Sequence, residues 1–289
     1  MSIKRKVISI QTTQPHQGFL GAGHTARAVI QTDFAQSDPF IMLMDDMLDK
    51  KDDIPVGGPH PHAGFETVSL MIEGEIGDGT HKMKDGDFQI MTAGSGVVHT
   101  ETIAKKMKMQ LMQLWLNLPK EKRWIKPRLQ DLSSEQAPRL SENGVEIKIY
   151  SGSFAGLQSP ISNYVPLILA DIKMQAGVST KQNIPASFTA FIYVLEGSVQ
   201  VDDQTINQNQ VGWLDRFTEN KASELNLKAA EYGTRFLLYA AQPQGSPIVS
   251  HGPFIGDSPE DISRLYREYR EGRMEDILTV AAKNSLDLD

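Results

Sequence analysis

The 289-residue chain contains no cysteine. A disulfide framework, a CxxC redox pair, a thiolate zinc site and a cysteine nucleophile are therefore excluded. The chain also lacks a long apolar run. Its first ten residues, MSIKRKVISI, carry positive charge but pass directly into the polar QTTQPHQG. No signal peptide and no membrane span is expected, and the chain reads as a cytoplasmic protein. An excess of positive charge is missing too. Lys and Arg number 29 against 36 Asp and Glu, for a net charge of −7. Such an acidic balance argues against charge-driven binding to nucleic acid or to an anionic membrane. Histidine is scarce: there are 7, and His60, His62 and His99 fall within two short motifs.

What remains is an ordinary globular balance, 40% hydrophobic and 22% charged, enough to bury a core in one large or two medium domains. Short apolar segments alternate with turn signals such as Asp78-Gly79 and Asp85-Gly86. Met107–Leu118 alternates apolar and polar residues with period two, the mark of a strand with one buried face. Phe40–Met44 reads as a buried strand, and the acidic residues after it, Asp45, Asp46 and Asp49 to Asp53, as a solvated loop. Many short strands at this spacing predict an all-β sandwich or barrel. Pro119 to Gln130 is basic and bracketed by prolines, so it reads as a connector, with Lys120 to Arg128 exposed and open to a protein partner. The C-terminal end changes character. Ser258-Pro259-Glu260-Asp261 is a capping box with proline at the first helical position. Ile262, Leu265, Tyr266 and Tyr269 follow at helical spacing, and Gly272 stands where a helix-ending glycine belongs. A second short helix is expected over 274–283.

The chain also repeats itself. GFETVSLMIEGEI at 64–76 resembles SFTAFIYVLEGSV at 187–199, with Phe65 matching Phe188 and Glu73-Gly74 matching Glu196-Gly197. At the same offset His60 falls on Asn183, His62 on Pro185, His99 on Ala222 and Glu101 on Glu224. Ligand-type residues present in one copy and missing from the other point to chemistry rather than packing.

Those residues are His60-Pro61-His62 and His99-Thr100-Glu101. One intervening residue puts both members of a pair on the same face of a strand, roughly 7 Å apart. If the two strands lie side by side, three imidazoles and a carboxylate converge as a ligand set for a divalent metal: iron(II), manganese, nickel, copper or zinc. Glu66, four residues after His62, shares the inward face if alternation is strict. It is a candidate ligand, a hydrogen-bond partner of a ligand imidazole, or an acid/base. Glu101 is tied more closely to His99 by its spacing. Val68, Leu70 and Met91 on the neighbouring strands are expected to line a slot for a flat ring.

GGPHPHAGFETVSLMIEGE, FQIMTAGSGVVHTE, LMQLWLNLP followed by KPRLQDL, and the tail HGPFIGDSPEDISRLYREYREGRM together resemble the pirin family of the cupin superfamily. The resemblance implies a bicupin: two stacked antiparallel β-barrels of jelly-roll type with a C-terminal helix. The N-terminal barrel (1–130) would bind metal through His60, His62, His99 and Glu101, and the C-terminal barrel (131–289) would lack ligands. It implies iron as the metal and a quercetin 2,3-dioxygenase-type activity on a flavonol-like substrate and dioxygen; in such a reaction Glu101, or Glu66 from nearby, would act as the catalytic base. The alternative it implies is a metal-dependent regulatory protein, a transcriptional coregulator or a modulator of a metabolic enzyme. The chain departs from the family pattern at Ile90, where Trp is frequent, and at Ala63, where Arg is common. Both positions are expected at the pocket mouth.

Overall fold

The computed structural model describes residues 3–78 and 81–286. Two sheets dominate. The first runs in the order Arg128–Leu132, Phe88–Thr92, Phe65–Glu73, Met107–Asn117, Phe40–Lys50, His24–Ala28, Pro15–Gln17. The second runs Val7–Thr12, Gln210–Leu214, Thr189–Val201, Ala222–Ala241, Leu167–Met174, Val145–Ser151, Arg139–Glu142. Position by position the two orders correspond: Phe65–Glu73 and Thr189–Val201, the two halves of the sequence repeat, hold the same place. The chain is all-β, and pairing along both paths is antiparallel. Sheet membership does not follow a single cut in the chain. Val7–Thr12 from the N-terminal end is the edge of the second sheet, against Gln210–Leu214.

Period-two alternation on the central strands supplies one apolar face per sheet, and these two faces meet. Val68, Leu70, Phe88, Ile90, Leu114 and Leu116 of the first sheet share one buried core with Leu167, Leu169, Phe191, Tyr193, Leu237 and Tyr239 of the second. Each fully buried Leu or Phe contributes about 1.5–3 kcal/mol, so this shared core holds the two lobes together. The interior of the second lobe is filled by residues such as Ile147, Ile172, Ile184, Ile192, Leu225 and Phe236.

This layer corrects several expectations. Val68 and Leu70 do not line a slot; they pack between the lobes, as does Ile90. Glu66 lies on their face, fully buried, accepting a hydrogen bond from Thr92 Oγ1 at 2.7 Å. The acidic stretch after Phe40–Met44 is not a solvated loop, because the strand continues to Lys50 with Asp45 and Asp46 both buried. Alternation sends them to opposite faces. Asp45 points to the second lobe, where Tyr193 Oη donates to it at 2.7 Å and Gln110 Nε2 at 2.8 Å.

The C-terminal tail returns to the first lobe. Helix Pro259–Arg270 starts with the expected capping box at Ser258 and Asp261. Gly272, just past its end, has φ +68°. The second helix spans Ile277–Leu286. In the Lys120 to Arg128 segment Lys120, Lys122 and Lys126 are exposed, while its other cation-bearing and aromatic residues are engaged within the fold. Arg123 is fully buried, Trp124 lies under the guanidinium of Arg264 at 4.5 Å, and Arg128 donates to the Ser162 carbonyl at 2.7 Å.

Burial raises the Glu66 carboxyl from 4.5 to about 7, opposed by the Thr92 hydrogen bond and by Arg128. The folded chain therefore holds a proton that the unfolded chain has lost between those values. The associated stability is fully present below the unfolded pKa and is lost as pH rises to about 7, a change of about 3 kcal/mol. Glu66→Gln keeps the neutral form at every pH. Urea unfolding at about pH 5 and about pH 8 should show the wild type losing stability relative to Glu66→Gln as pH rises; parallel behaviour of the two would contradict it.

Candidate metal centre and its cavity

His60–His62 and Val97–His99 pair antiparallel as a two-stranded sheet of their own, with His99 opposite His60 and Val97 opposite His62. Alternation puts His60, His62 and His99 on one face and turns Pro61 and Val98 to the other. Pro61 lacks an amide proton, which a short two-stranded pair tolerates. The ring centroids lie 4.3 Å apart for His60 and His99, 5.0 Å for His60 and His62, and 4.9 Å for His62 and His99. One ring nitrogen from each lies within 4.8 Å of the others. The Nε2 atoms of His60 and His99 are 2.8 Å apart, close to the roughly 3 Å between two nitrogens bound side by side to one ion at about 2.1 Å each. His60 Nδ1 bonds to the Gly58 carbonyl at 2.9 Å. That bond assigns the proton to Nδ1 and leaves the Nε2 lone pair free.

The electrostatics suit metal ligation. Burial, with His60 adding to it, pushes His62 down to about 3. Burial, His62 and His60 hold His99 well below the ordinary imidazole value. Both are neutral donors at physiological pH. A hydrogen bond from the His62 ring to the Pro253 backbone opposes the shift. Three imidazoles converging on one point are a donor set that fits a divalent metal.

Glu101 follows on the same segment, one step outside the three-histidine group. Its backbone presses on Gly57, where φ is +76° and an added Cβ would meet the Glu101 carbonyl at 2.3 Å. Gln113 Nε2 donates to its Oε1 at 2.9 Å. Burial raises the Glu101 carboxyl above its ordinary value; His60 opposes this, Asp46 adds to it and the Gln113 bond opposes it.

His60, His62 and Glu101 open onto a cavity of about 880 Å³, within the range of sites that enclose a small organic ligand. Phe19, Leu20, Met42, Met44, Val56 and Trp115 form its apolar wall, and His16, Gln17, Asp46 and Gln113 add polar groups. Both ends of the chain reach it, through His16 to Leu20 and through Gly252 and Pro253.

A pirin family model matches residues 22–116, and a model of the pirin C-terminal cupin domain matches residues 169–275. Human pirin is 32% identical over 283 residues, covering 94% of this chain and 94% of its own. The chain belongs to the pirin family. A putative quercetin 2,3-dioxygenase of Pseudomonas aeruginosa is 32% identical over 228 residues, 75% of this chain and 78% of its own. The crystal structure of a quercetin 2,3-dioxygenase from Acinetobacter baumannii superposes with a TM-score of 0.82 at 27% identity, covering 95% of this chain and 99% of that one.

The pirin motifs therefore mark the centre, but not everything around it. Met91 lies behind the histidines, in a smaller recess with His99, Glu101 and Ile277. Ala63 is not at the pocket mouth; it is covered by Phe254 of the tail. His24, three residues after Gly21 and one after Gly23, is buried and bonded to Asp46 at 2.9 Å. The period-two pattern Met42, Met44, Asp46 was the available signal for this wall.

Replacing His99 with Ala should lower divalent-metal affinity more than about 100-fold, since loss of an outer partner alone costs about 10–100-fold. Competition with a chromophoric chelator measures this, with circular dichroism to confirm the fold. Unchanged affinity would remove these histidines as ligands.

Proposed function

We propose that this chain is a metal-dependent oxygenase of the quercetin 2,3-dioxygenase type, acting on a flavonol-like substrate and dioxygen. The observation that carries the reading is the cavity itself: neutral imidazoles and a buried carboxyl at one wall, and apolar surface around them. The likeness to quercetin 2,3-dioxygenases of Pseudomonas aeruginosa and Acinetobacter baumannii supports it.

His60, His62, His99 and Glu101 are the proposed ligands, and iron(II) the proposed ion. When bound, a divalent ion would supply Lewis-acid polarisation of the substrate's hydroxyl and carbonyl oxygens. The chain does the rest. Trp115, Met42, Met44 and Phe19 offer flat and flexible apolar contacts that orient a planar ring and exclude water. Glu101 accepts the proton of the substrate hydroxyl, its affinity for that proton raised by burial. Gln113 holds Oε1 and leaves Oε2 for the proton. No Lys or Arg lines the cavity among the described residues, which favours a neutral aromatic over a carboxylate substrate.

Oxygen uptake with quercetin should appear on reconstitution with iron, manganese, nickel or copper. It should disappear in His60→Ala and fall by about 10²–10⁴-fold in Glu101→Gln, the usual contribution of a positioned base. Quercetin binding without oxygen consumption under all four metals would overturn the oxygenase reading in favour of a metal-dependent binding protein.

A further inference from the structure

The two neighbouring aspartates of the Phe40–Lys50 strand have different surroundings. Asp45 has both carboxylate oxygens satisfied, Oδ1 by Gln110 and Oδ2 by Tyr193. Asp46 has one. His24 Nε2 bonds to Oδ1 at 2.9 Å, and Oδ2 receives no hydrogen bond from the described residues. Only 7% of the residue is exposed, and it lines the substrate cavity beside Met44 and Gln113. Oδ2 is free to accept a hydrogen bond from a molecule in that cavity.

The support behind Asp46 is rigid. The Leu20 backbone N–H donates to His24 Nδ1 at 3.0 Å. That bond makes Nδ1 an acceptor, so the ring is neutral and its proton is on Nε2, directed at Asp46. The His24 backbone is locked in turn: Gly18 N–H donates to its carbonyl at 2.9 Å, and its own N–H donates to the Gly21 carbonyl at 3.1 Å. Gln17 Nε2 adds a third bond, to the His24 carbonyl, at 3.0 Å. One imidazole thus ties the loop that carries Phe19 and Leu20 to the Asp46 carboxylate. No Lys or Arg side chain lies on the cavity surface among the described residues to occupy the second oxygen of Asp46.

We infer that Asp46, positioned by His24, is a specificity determinant: it accepts a hydrogen bond from a ligand hydroxyl other than the oxygens that meet the metal. The site then selects polyhydroxylated neutral aromatics over rings bearing the chelating pair alone. A carboxylate is an acceptor only, so the group it recognises must be a donor. An acceptor preset by His24 discriminates against a ligand that leaves it empty. This inference rests on the flavonol-oxygenase reading and deepens it.

The test is calorimetric binding to zinc-reconstituted protein under argon, so that turnover does not intrude. Quercetin is compared with 3-hydroxyflavone, which keeps the chelating hydroxyl and carbonyl and has no other hydroxyl. In the wild type quercetin should bind on the order of tenfold to a hundredfold more tightly, the value of a hydrogen bond to a charged group. In Asp46→Ala that advantage should collapse while the affinity for 3-hydroxyflavone stays within about twofold; comparing two ligands cancels any general damage to the fold. Equal weakening of both ligands, or an advantage untouched by the substitution, overturns the role of Asp46 and leaves the flavonol reading standing. Failure of both flavonols to bind the wild type overturns the reading itself, and the inference with it.

Discussion

The guanidinium of Arg123 is fully buried, and three segments of chain converge on it. Its Nε pairs with Asp257 at 3.0 Å, while Nη1 donates to the Gly64 carbonyl at 2.9 Å and to Asn117 Oδ1 at 3.0 Å. A buried charge is tolerated only with such partners, and removing one is far costlier than never having built the pair. What Arg123 joins is the exit of the His60–His62 strand, the end of a central strand of the first sheet, and the C-terminal tail. The histidine-bearing strands stand outside the seven-stranded sheet, so they take their position from this junction. The tail closes it on both strands: Ile255 N–H donates to the Ala63 carbonyl at 3.0 Å, and Val98 N–H to the Glu275 carbonyl at 2.9 Å. Gly64 is where the tail comes closest. Its φ is +88°, and a Cβ there would sit 1.9 Å from the Ile255 carbonyl oxygen. A site on the N-terminal lobe is thus held in shape by the last part of the chain.

That junction also explains what could be read in advance and what could not. The pairing of His60 with His62 needs only the two-residue period of one strand, so it is legible from spacing. Extending the same phase to Glu66 fails, because the left-handed turn at Gly64 resets it. Beyond the glycine it is Phe65 that meets the His62 ring, at 5.2 Å between centroids, and Glu66, Val68 and Leu70 turn to the layer between lobes. Alternation fixes side-chain direction only within an unbroken strand. Nor does it tell which face of a duplicated sheet meets its twin and which meets a ligand, since both faces are apolar here. Asp45 and Asp46 were hidden for another reason. A run of acidic residues is ordinarily solvated, and only the partners supplied from distant segments, Tyr193 for one and His24 for the other, make their burial affordable.

The same reasoning sharpens the contrast between the two lobes. The segment equivalent to His60–His62 lies within Ser179–Pro185, and it pairs with the strand equivalent to the one carrying His99. In the second lobe, however, Asn183 stands opposite Glu224 and Pro185 opposite Ala222. The residue between them, Ile184, points inward and packs with Leu225 in the core. Glu224, the one candidate ligand the second copy retains, lies on the outer face, 3.7 Å from Lys181. The second lobe therefore differs by more than substitution of ligands: its strand presents the opposite face to the barrel. A phase change of one residue moves every side chain of a strand to the other side. It turns a place for imidazoles into a place for aliphatic packing and closes the space where a cavity would lie. Restoring histidines at 183 and 185 would place them outside the barrel, and the metal chemistry of this fold thus depends on strand phase as much as on residue type.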